Sequence, residues 1–417
     1  MRYLDLFAGA GGLSEGFIRE GFEPVAHVEL WEAACYTLKT RAAFHYLKKN
    51  HSINIYKRYL KGEISREDLY SSIPKEILES VICREISDDS IQEIFGKIDK
   101  LTNQQTIDPI LGGPPCQAYS LVGRARDPNG MKGDKRNYLF HYYVRFLEKY
   151  RPKYFVFENV LGLLSAKDKS GIRYFDVMQA EFEKCGYKVK HDVLSASDFG
   201  VLQNRNRVIL VGKRTAEDFE YPRPNEYHPR ANVGAVFSDL PVIHAGGGDV
   251  HHCNLSEHYD SWLDTAGIRS KSYPVTFHCA RSNRQQDLEI YRRVVQTWNE
   301  EKRRLGYNEL PDNLKTHANQ TSFLDRFKVV AADEHASQTV VAHICKDGHY
   351  YIHPDINQNR SITPREAARL QTFPDNYYFE SESSKPSCTD AYKQIGNAVP
   401  VLLAQKIAAK LKEVWDE

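Results

Sequence analysis

Residues 2 to 29 constrain the fold more than any other stretch of the chain. Arg2 to Phe7 is a short apolar run that suits a buried strand, and Ala8-Gly9-Ala10-Gly11-Gly12 follows it as a turn. Leu13 to Glu20 has helical spacing and stops at Gly21, and Pro24 to Val28 reads as a second strand ending at Glu29. A helix from about Leu30 to Lys48 completes a β-α-β-α run, which implies a parallel sheet covered by helices. The glycines let the backbone bend tightly and approach a ligand, while the helix behind them offers unsatisfied N–H groups. Glu29 stands where a doubly wound fold places an acid on ribose hydroxyls. The spacing of turn and acid therefore fits a nucleotide-like ligand, the alternative being a purely structural turn.

Chemistry concentrates in three later segments. Gly112 to Ser120 reads Gly-Gly-Pro-Pro-Cys-Gln-Ala-Tyr-Ser after an apolar strand, Pro109 to Leu111. Pro114 and Pro115 stiffen the backbone directly before Cys116, so the thiol is held at a defined angle, as a nucleophile requires. The bland alternative is a proline-terminated strand with an incidental buried cysteine. Glu158 ends the apolar run Tyr154 to Phe157, where desolvation favours a protonated carboxyl able to donate to a ring nitrogen; a capping or salt-bridged acid is the alternative. In Gln203-Asn204-Arg205-Asn206-Arg207 the two arginines alternate along an extended segment and so face one side, unless they are simply solvated.

His45 to Thr106 is polar and interrupts the α/β rhythm, and it reads as an insertion with helical fragments such as Arg66 to Ser80. The rhythm resumes with a helix at Tyr138 to Tyr150, the Tyr154 strand, a helix at Tyr174 to Cys185, and strands at Lys188 to Leu194 and Arg207 to Val211. After Gly212 the chain becomes rich in Pro, His, Gly and Arg and poorly periodic to about Arg360, as expected of a small loop-rich domain. Helices at Pro364 to Leu370 and Pro400 to Val414 close the sequence.

With 417 residues, 41% of them hydrophobic, the chain can bury a large core and form two domains. A net charge of +1 gives no global basic field, so any nucleic-acid contact must come from a local patch. Eight cysteines without a Cys-x-x-Cys pair predict reduced thiols in a cytosol. Asp5 and Glu15 argue against a secretory signal, and no apolar run approaches the ~20 residues that cross a bilayer, so a cytoplasmic protein without membrane attachment is expected. His244, His251, His252, Cys253 and His258 lack the spacing of a ligand pair followed by a second pair, and no metal is expected. Arg292-Arg293 and Lys302-Arg303-Arg304 could touch phosphates or form a solvated face.

In this order the segments resemble the DNA cytosine-5 methyltransferase family, of the bacterial restriction-modification type. Asp5 to Gly12 looks like its cofactor motif, Pro114-Pro115-Cys116-Gln117 its nucleophile motif, Glu158-Asn159-Val160 its acid motif and Gln203-x-Arg205-x-Arg207 its arginine motif. Arg360 to Asp375 and Gln394 to Pro400 look like its two closing motifs. The resemblance covers residues 1 to 45, 107 to 212 and 360 to 417.

It implies an α/β protein: a Rossmann-like S-adenosylmethionine-dependent methyltransferase sheet (residues 1–212 plus 360–417, with the insertion at about 45–106) and a smaller target-recognition domain (213–359). The implied reaction is methyl transfer to C5 of a cytosine flipped out of a specific double-stranded DNA sequence, through a bond between Cys116 and C6. Glu158 and Arg207 would act on the ring, and Arg205 would support the site or bind phosphate. Phe7, Gly9, Ala10 and Gly12 would surround the methionine moiety, Glu29 the ribose, Pro115 and Leu139 the adenine, with Asn397 and Val399 closing the pocket. Gln117 and Ser120 would lie near the DNA. The family often has an aromatic directly after the ribose acid, whereas here Leu30 follows and Trp31 comes one later; its third-motif aspartate has no clear counterpart, Glu85 being the candidate. The same resemblance leaves open an RNA cytosine-5 methyltransferase and a catalytically silent DNA-binding homologue. A nicotinamide-dependent oxidoreductase would also use the glycine turn and the acid, but leaves Pro-Pro-Cys-Gln unexplained. A stand-alone prokaryotic enzyme, acting as a monomer on DNA beside a cognate restriction endonuclease, is the expected setting.

Overall fold

The N-terminal apolar run forms β1 (Arg2–Leu6), near the middle of a seven-stranded sheet. The computed structural model describes residues 1–103, 105–115, 138–269, 272–315, 317, 321 and 324–416. From β1 the chain turns into α1 (Gly12–Arg19), returns through β2 (Glu23–Glu29) and continues into α2 (Glu32–Lys49). β2 pairs parallel to β1, as the alternation of elements predicts.

The segment expected to be an insertion does more than interrupt. After α3 (Asn54–Leu60), α4 (Arg66–Ser71) and α5 (Lys75–Glu79) it supplies β3 (Val81–Cys83), which extends the sheet parallel to β2, and then α6 (Ile91–Thr102). A three-residue strand in polar surroundings has no period to read, which is why the sequence hides it. β4 (Ile110–Gly112), α7 (Phe140–Tyr150), β5 (Tyr154–Asn159), α8 (Tyr174–Lys184), β6 (Tyr187–Ser195) and β7 (Asn206–Arg214) complete the unit. The order is β3-β2-β1-β4-β5-β7-β6, and β7 runs antiparallel to both β5 and β6. The expectation of a parallel sheet thus holds except at β7.

The strands read as unbroken apolar runs because both faces of the sheet are covered. Along β5 and β7, Tyr154, Val156, Ile209 and Val211 enter one core with Phe17 of α1, while Phe155, Phe157, Val208 and Leu210 enter a second with Tyr143 of α7 and Phe182 of α8. Each such side chain stabilises the fold by about 1.5–3 kcal/mol on burial. Because β1 pairs with β2 on one side and β4 on the other, the chain reverses its direction of sheet growth there and opens a crevice at the strands' carboxyl ends.

Residues 213–359 carry little regular structure: α9 (Trp262–Thr265), the short pair β8 (Gly248–Asp249) and β9 (His278–Cys279), and one long helix, α10 (Gln285–Glu301). Ile290, Tyr291, Val294 and Val295 give α10 one buried face, in a small core with Phe327. Arg293 pairs with Glu289 at 3.1 Å, and Lys302 just beyond the helix pairs with Asp333 at 2.6 Å.

Three helices close the chain: α11 (Pro364–Leu370), α12 (Cys388–Asn397) and α13 (Val401–Glu413). Thr363 and Glu366 form a capping box around Pro364 at the first turn of α11. Arg360, Arg365 and Arg369 are buried and fully engaged. Arg360 pairs with Glu366 at 2.7 Å, Arg365 reaches the Thr276 and Tyr377 carbonyls, and Arg369 bridges Asp375 at 2.8 Å to Asp239 at 2.6 Å. These bonds fasten the 213–359 segment to the closing helices. Among the described residues, no helix is long and apolar enough to cross a membrane, and no group of three or more His, Cys, Asp or Glu side chains is placed to hold a metal.

Candidate active site

The crevice at the carboxyl ends of β1, β2, β4 and β5 is a cleft of about 440 Å³, within the usual size of small-ligand sites. Each strand delivers one wall residue: Phe7 follows β1, Glu29 ends β2, Gly113 follows β4 and Glu158 lies near the end of β5. Because β7 runs the opposite way, its first turn of chain, with Arg207, reaches the same end.

Phe7 leaves β1 with φ at 56°, an uncommon left-handed conformation for a side chain of this size, and so starts the glycine turn. The turn is then held by Glu29: its Oε2 accepts from the Gly9 N–H at 2.8 Å, and its Oε1 accepts from the N–H groups of Leu30 and Trp31 at 2.9 and 2.8 Å. Burial pushes the Glu29 carboxyl up from its ordinary range, and those three donors pull it back. Beneath it, Asp5 is buried and its Oδ2 has no hydrogen-bond partner among the described residues. Burial, and then the charge of Glu29, push Asp5 up to about 8.

On the opposite wall Arg207 Nε lies 2.6 Å from Glu158 Oε1, and Arg207 Nη1 donates to the Asn206 carbonyl at 2.8 Å. Both side chains are mostly covered, at 12% and 15% exposure, so this is an ion pair set into the wall: Glu158 takes the salt-bridged alternative, not the unpaired protonated carboxyl that desolvation alone would favour. Glu158 packs over the main chain after β4: a Cβ on Gly113 would come within 2.7 Å of Glu158 Oε2. Its neighbour Asn159 donates from Nδ2 to the Pro114 carbonyl at 3.3 Å, tying the acid segment to the two prolines.

Nine predicted residues meet in this cleft: Phe7, Gly9, Ala10, Glu29, Pro115, Leu139, Glu158, Arg207 and Asn397. Glu85, the candidate for the third-motif acid, lines it as a tenth, and so do its neighbour Ile86, just beyond β3, and Trp31, whose Nε1 donates to Glu382 at 3.1 Å. Cys116, Gln117 and Ser120 lie outside the described residues; the chain leads into them from Pro115 at the cleft.

Three predicted residues are placed elsewhere. Arg205 is fully buried away from the cleft, donating to the carbonyls of Val340 at 2.6 Å and Gly396 at 3.1 Å. The expectation that it shares a face with Arg207 fails because it precedes β7, where Gln203 and Asn204 pair with Ser337 instead of continuing the strand. Burial also removes the phosphate-binding alternative. Gly12 and Val399 form a packing contact: a Cβ on Gly12 would lie 2.3 Å from the Val399 carbonyl oxygen, and neither residue lines the cleft. Sequence reasoning passed over Arg84, Asn159 and Gln394. Gln394 lines the cleft while its amide links Thr37 at 2.6 Å to the Glu380 carbonyl at 2.7 Å. Asn159 and Gln394 both sat inside quoted motifs, which was the available signal.

The chain matches the model of a family described as C-5 cytosine-specific DNA methylase over residues 1–74 and 67–413. A Type II methyltransferase of Bacillus paralicheniformis is 41% identical over 456 aligned residues, which span 99% of each chain. Another, of Desulfomicrobium norvegicum, is 30% identical over 430 residues, spanning 99% of this chain and 88% of its own. Among solved structures, a prophage-encoded E. coli protein assigned as a DNA modification methyltransferase superposes with a TM-score of 0.64 at 20% identity, covering 100% of both chains. An Entamoeba histolytica methyltransferase superposes with a TM-score of 0.54 at 14% identity, over 100% of this chain and 99% of that one. These two likenesses are likenesses of fold.

Proposed function

The chain belongs to the C-5 cytosine-specific DNA methylase family, and from that premise we propose how its own residues divide the reaction. The methyl donor is S-adenosylmethionine, which supplies an electrophilic sulfonium methyl group. Glu29 holds its ribose hydroxyls, Phe7, Gly9 and Ala10 surround the methionine part, and Ile86, Pro115 and Leu139 form apolar walls for the adenine. Residues 213–359 read the target sequence in duplex DNA. The setting is a Type II restriction-modification system with a cognate endonuclease, the enzyme working as a monomer on its DNA. That the relatives named above are Type II methyltransferases over nearly their whole length supports this setting.

Cytosine C5 is a weak nucleophile, and C6 is shielded inside a stacked duplex, so the base must first leave the helix at a cost of a few kcal/mol. Cys116 sulfur then bonds to C6, and the electron pair of the C5–C6 double bond moves onto the ring. As the base enters, Glu158 exchanges its pairing with Arg207 for N3, taking up a proton that it shares with the ring, and Arg207 hydrogen-bonds O2, so both stabilise charge where it develops. The enamine-like C5 takes the methyl group, loses its proton to a base, and expels the Cys116 thiolate as the double bond re-forms. Asn159 acts as a positioning residue, because it holds the Pro114 carbonyl two residues before the nucleophile.

The observation that carries the reading is the Glu158–Arg207 pair set into the same cleft as Glu29 and the end of the Pro114-Pro115 segment. The test is transfer of labelled methyl from S-adenosylmethionine to duplex DNA, to tRNA, or to neither. Label on cytosine C5 of duplex DNA is expected, with base-resolution mapping giving one recurring sequence. Label on tRNA alone would overturn the DNA reading, and label on neither would indicate a silent homologue.

A further inference from the structure

Away from the cleft, two thiols meet where the 213–359 segment touches the closing helices. Cys279 ends β9 and Cys388 opens α12, and their Sγ atoms are 3.1 Å apart. We propose that Cys279 and Cys388 are a disulfide-forming pair, oxidised by a hydroperoxide such as hydrogen peroxide, which clamps β9 to the helix that carries Gln394 and Asn397 into the cofactor cleft.

The geometry makes the two sulfurs unequal, as thiol oxidation requires. Cys388 occupies the first position of a ten-residue helix, where the orphan N–H groups favour negative charge. The hydrogen bond from Cys279 draws the Cys388 thiol below its ordinary range against the opposing effect of burial, and the Arg281 guanidinium adds to it. The same hydrogen bond, together with burial, pushes Cys279 far up, so negative charge is favoured on Cys388, at the start of the helix, over Cys279. Two other cysteines have the opposite environment: burial pushes Cys253 up to about 12, and burial beside Glu148 and Glu181 raises Cys185. Both members of the pair are only partly buried, and the exposed residues 382–386 lie next to Cys388 in the chain, so a small peroxide can reach it.

The chemistry balances. The Cys388 thiolate attacks the peroxide, forming an S–O bond as the O–O bond breaks and hydroxide leaves to become water. Cys279, giving up its proton, then attacks the Cys388 sulfenic acid: the S–S bond forms, the S–O bond breaks, and a second water leaves. Two thiols are oxidised by two electrons and one peroxide is reduced to two waters. The bond closes a long loop, and such cross-links restrict the unfolded chain.

The full-length wild-type enzyme treated with hydrogen peroxide tests this by non-reducing peptide mapping. A cross-link joining the Cys279 and Cys388 peptides is expected, with loss of two hydrogen atoms per chain and a melting temperature higher by roughly 5 °C that a dithiol reverses. In Cys279→Ser the Cys388 sulfenic acid should accumulate and be trapped by dimedone, and in Cys388→Ser both the cross-link and the trapped adduct should disappear. Oxidation of Cys83 or Cys185 ahead of Cys388, or a cross-link between other cysteines, would overturn the proposal, as would a trapped adduct on Cys279 in place of Cys388.

Discussion

Glu158 and Arg207 are near the ends of two strands that run in opposite directions, and that arrangement brings one carboxyl and one guanidinium to the same cleft. Replacing Arg207 with Ala should lower kcat by about 10²–10³-fold, the usual effect of one lost donor at a developing negative charge, with little change in S-adenosylmethionine binding. Steady-state kinetics beside a direct cofactor titration separates the two quantities, and a comparable loss of cofactor affinity would contradict the assignment. Asn159→Ala removes the bond to the Pro114 carbonyl, and small misplacements of a reacting group are expensive; kcat should fall roughly 10–100-fold while the cofactor Kd holds. At this scale the sequence was legible where a residue follows directly on a strand end, as in Glu-Asn-Val after β5, whereas Cys116 lies outside the described residues. It misled at Arg205, because alternation along an extended segment says nothing about where the strand begins. It misled at Gly12 too: a glycine needed for close packing against Val399 looks, in a sequence, like one needed beside a ligand.

The closing helix α11 shows how a motif can be structural without being chemical. Arg369 is buried between Asp375 and Asp239, and Asp239 also meets Arg269 at 2.6 Å. Arg369→Ala leaves Asp375 buried beside an absent partner and should cost about 3–5 kcal/mol, read as a shift in the urea midpoint. A shift below 1 kcal/mol would mean that water or another cation replaces the guanidinium. The helix itself was plain in the sequence, since Thr-Pro-x-Glu marks a capped start. By contrast α12 was read only as a motif, because Gly396 and its polar residues blur the helical period, and β3 was too short to have one. The antiparallel direction of β7 was not legible at all: strand direction belongs to the sheet, not to the strand.

For the molecule as a whole, buried acids give stability a two-sided dependence on pH. The Arg41 guanidinium holds Glu15, and the Arg360 guanidinium holds Glu366, far below the usual carboxylate range despite burial. Stability from these two acids is therefore complete above their unfolded value of 4.5 and is lost as pH falls toward their folded values. Asp5 has the opposite sign. Its penalty is absent below 3.8, where the unfolded chain is also protonated, grows as pH rises from there to about 8, and then levels off. Urea midpoints measured from pH 3 to 9 should trace a dome, and Asp5→Asn should flatten its alkaline side while leaving the acid side unchanged. An Asp5→Asn curve parallel to that of the wild type would show that Asp5 ionises freely in the folded protein.

The proposed mechanism requires a transient carbon–sulfur bond between cytosine C6 and Cys116, and duplex DNA with 5-fluorocytosine at the methylated position tests it most directly. Fluorine cannot leave C5 as a proton does, so enzyme, DNA and S-adenosylmethionine should yield a complex that survives denaturation, with the cross-linked peptide containing Cys116; Cys116→Ala should form none and turn over no normal substrate. Full methylation of ordinary DNA by Cys116→Ala, or a cross-link mapped to another residue, would contradict it.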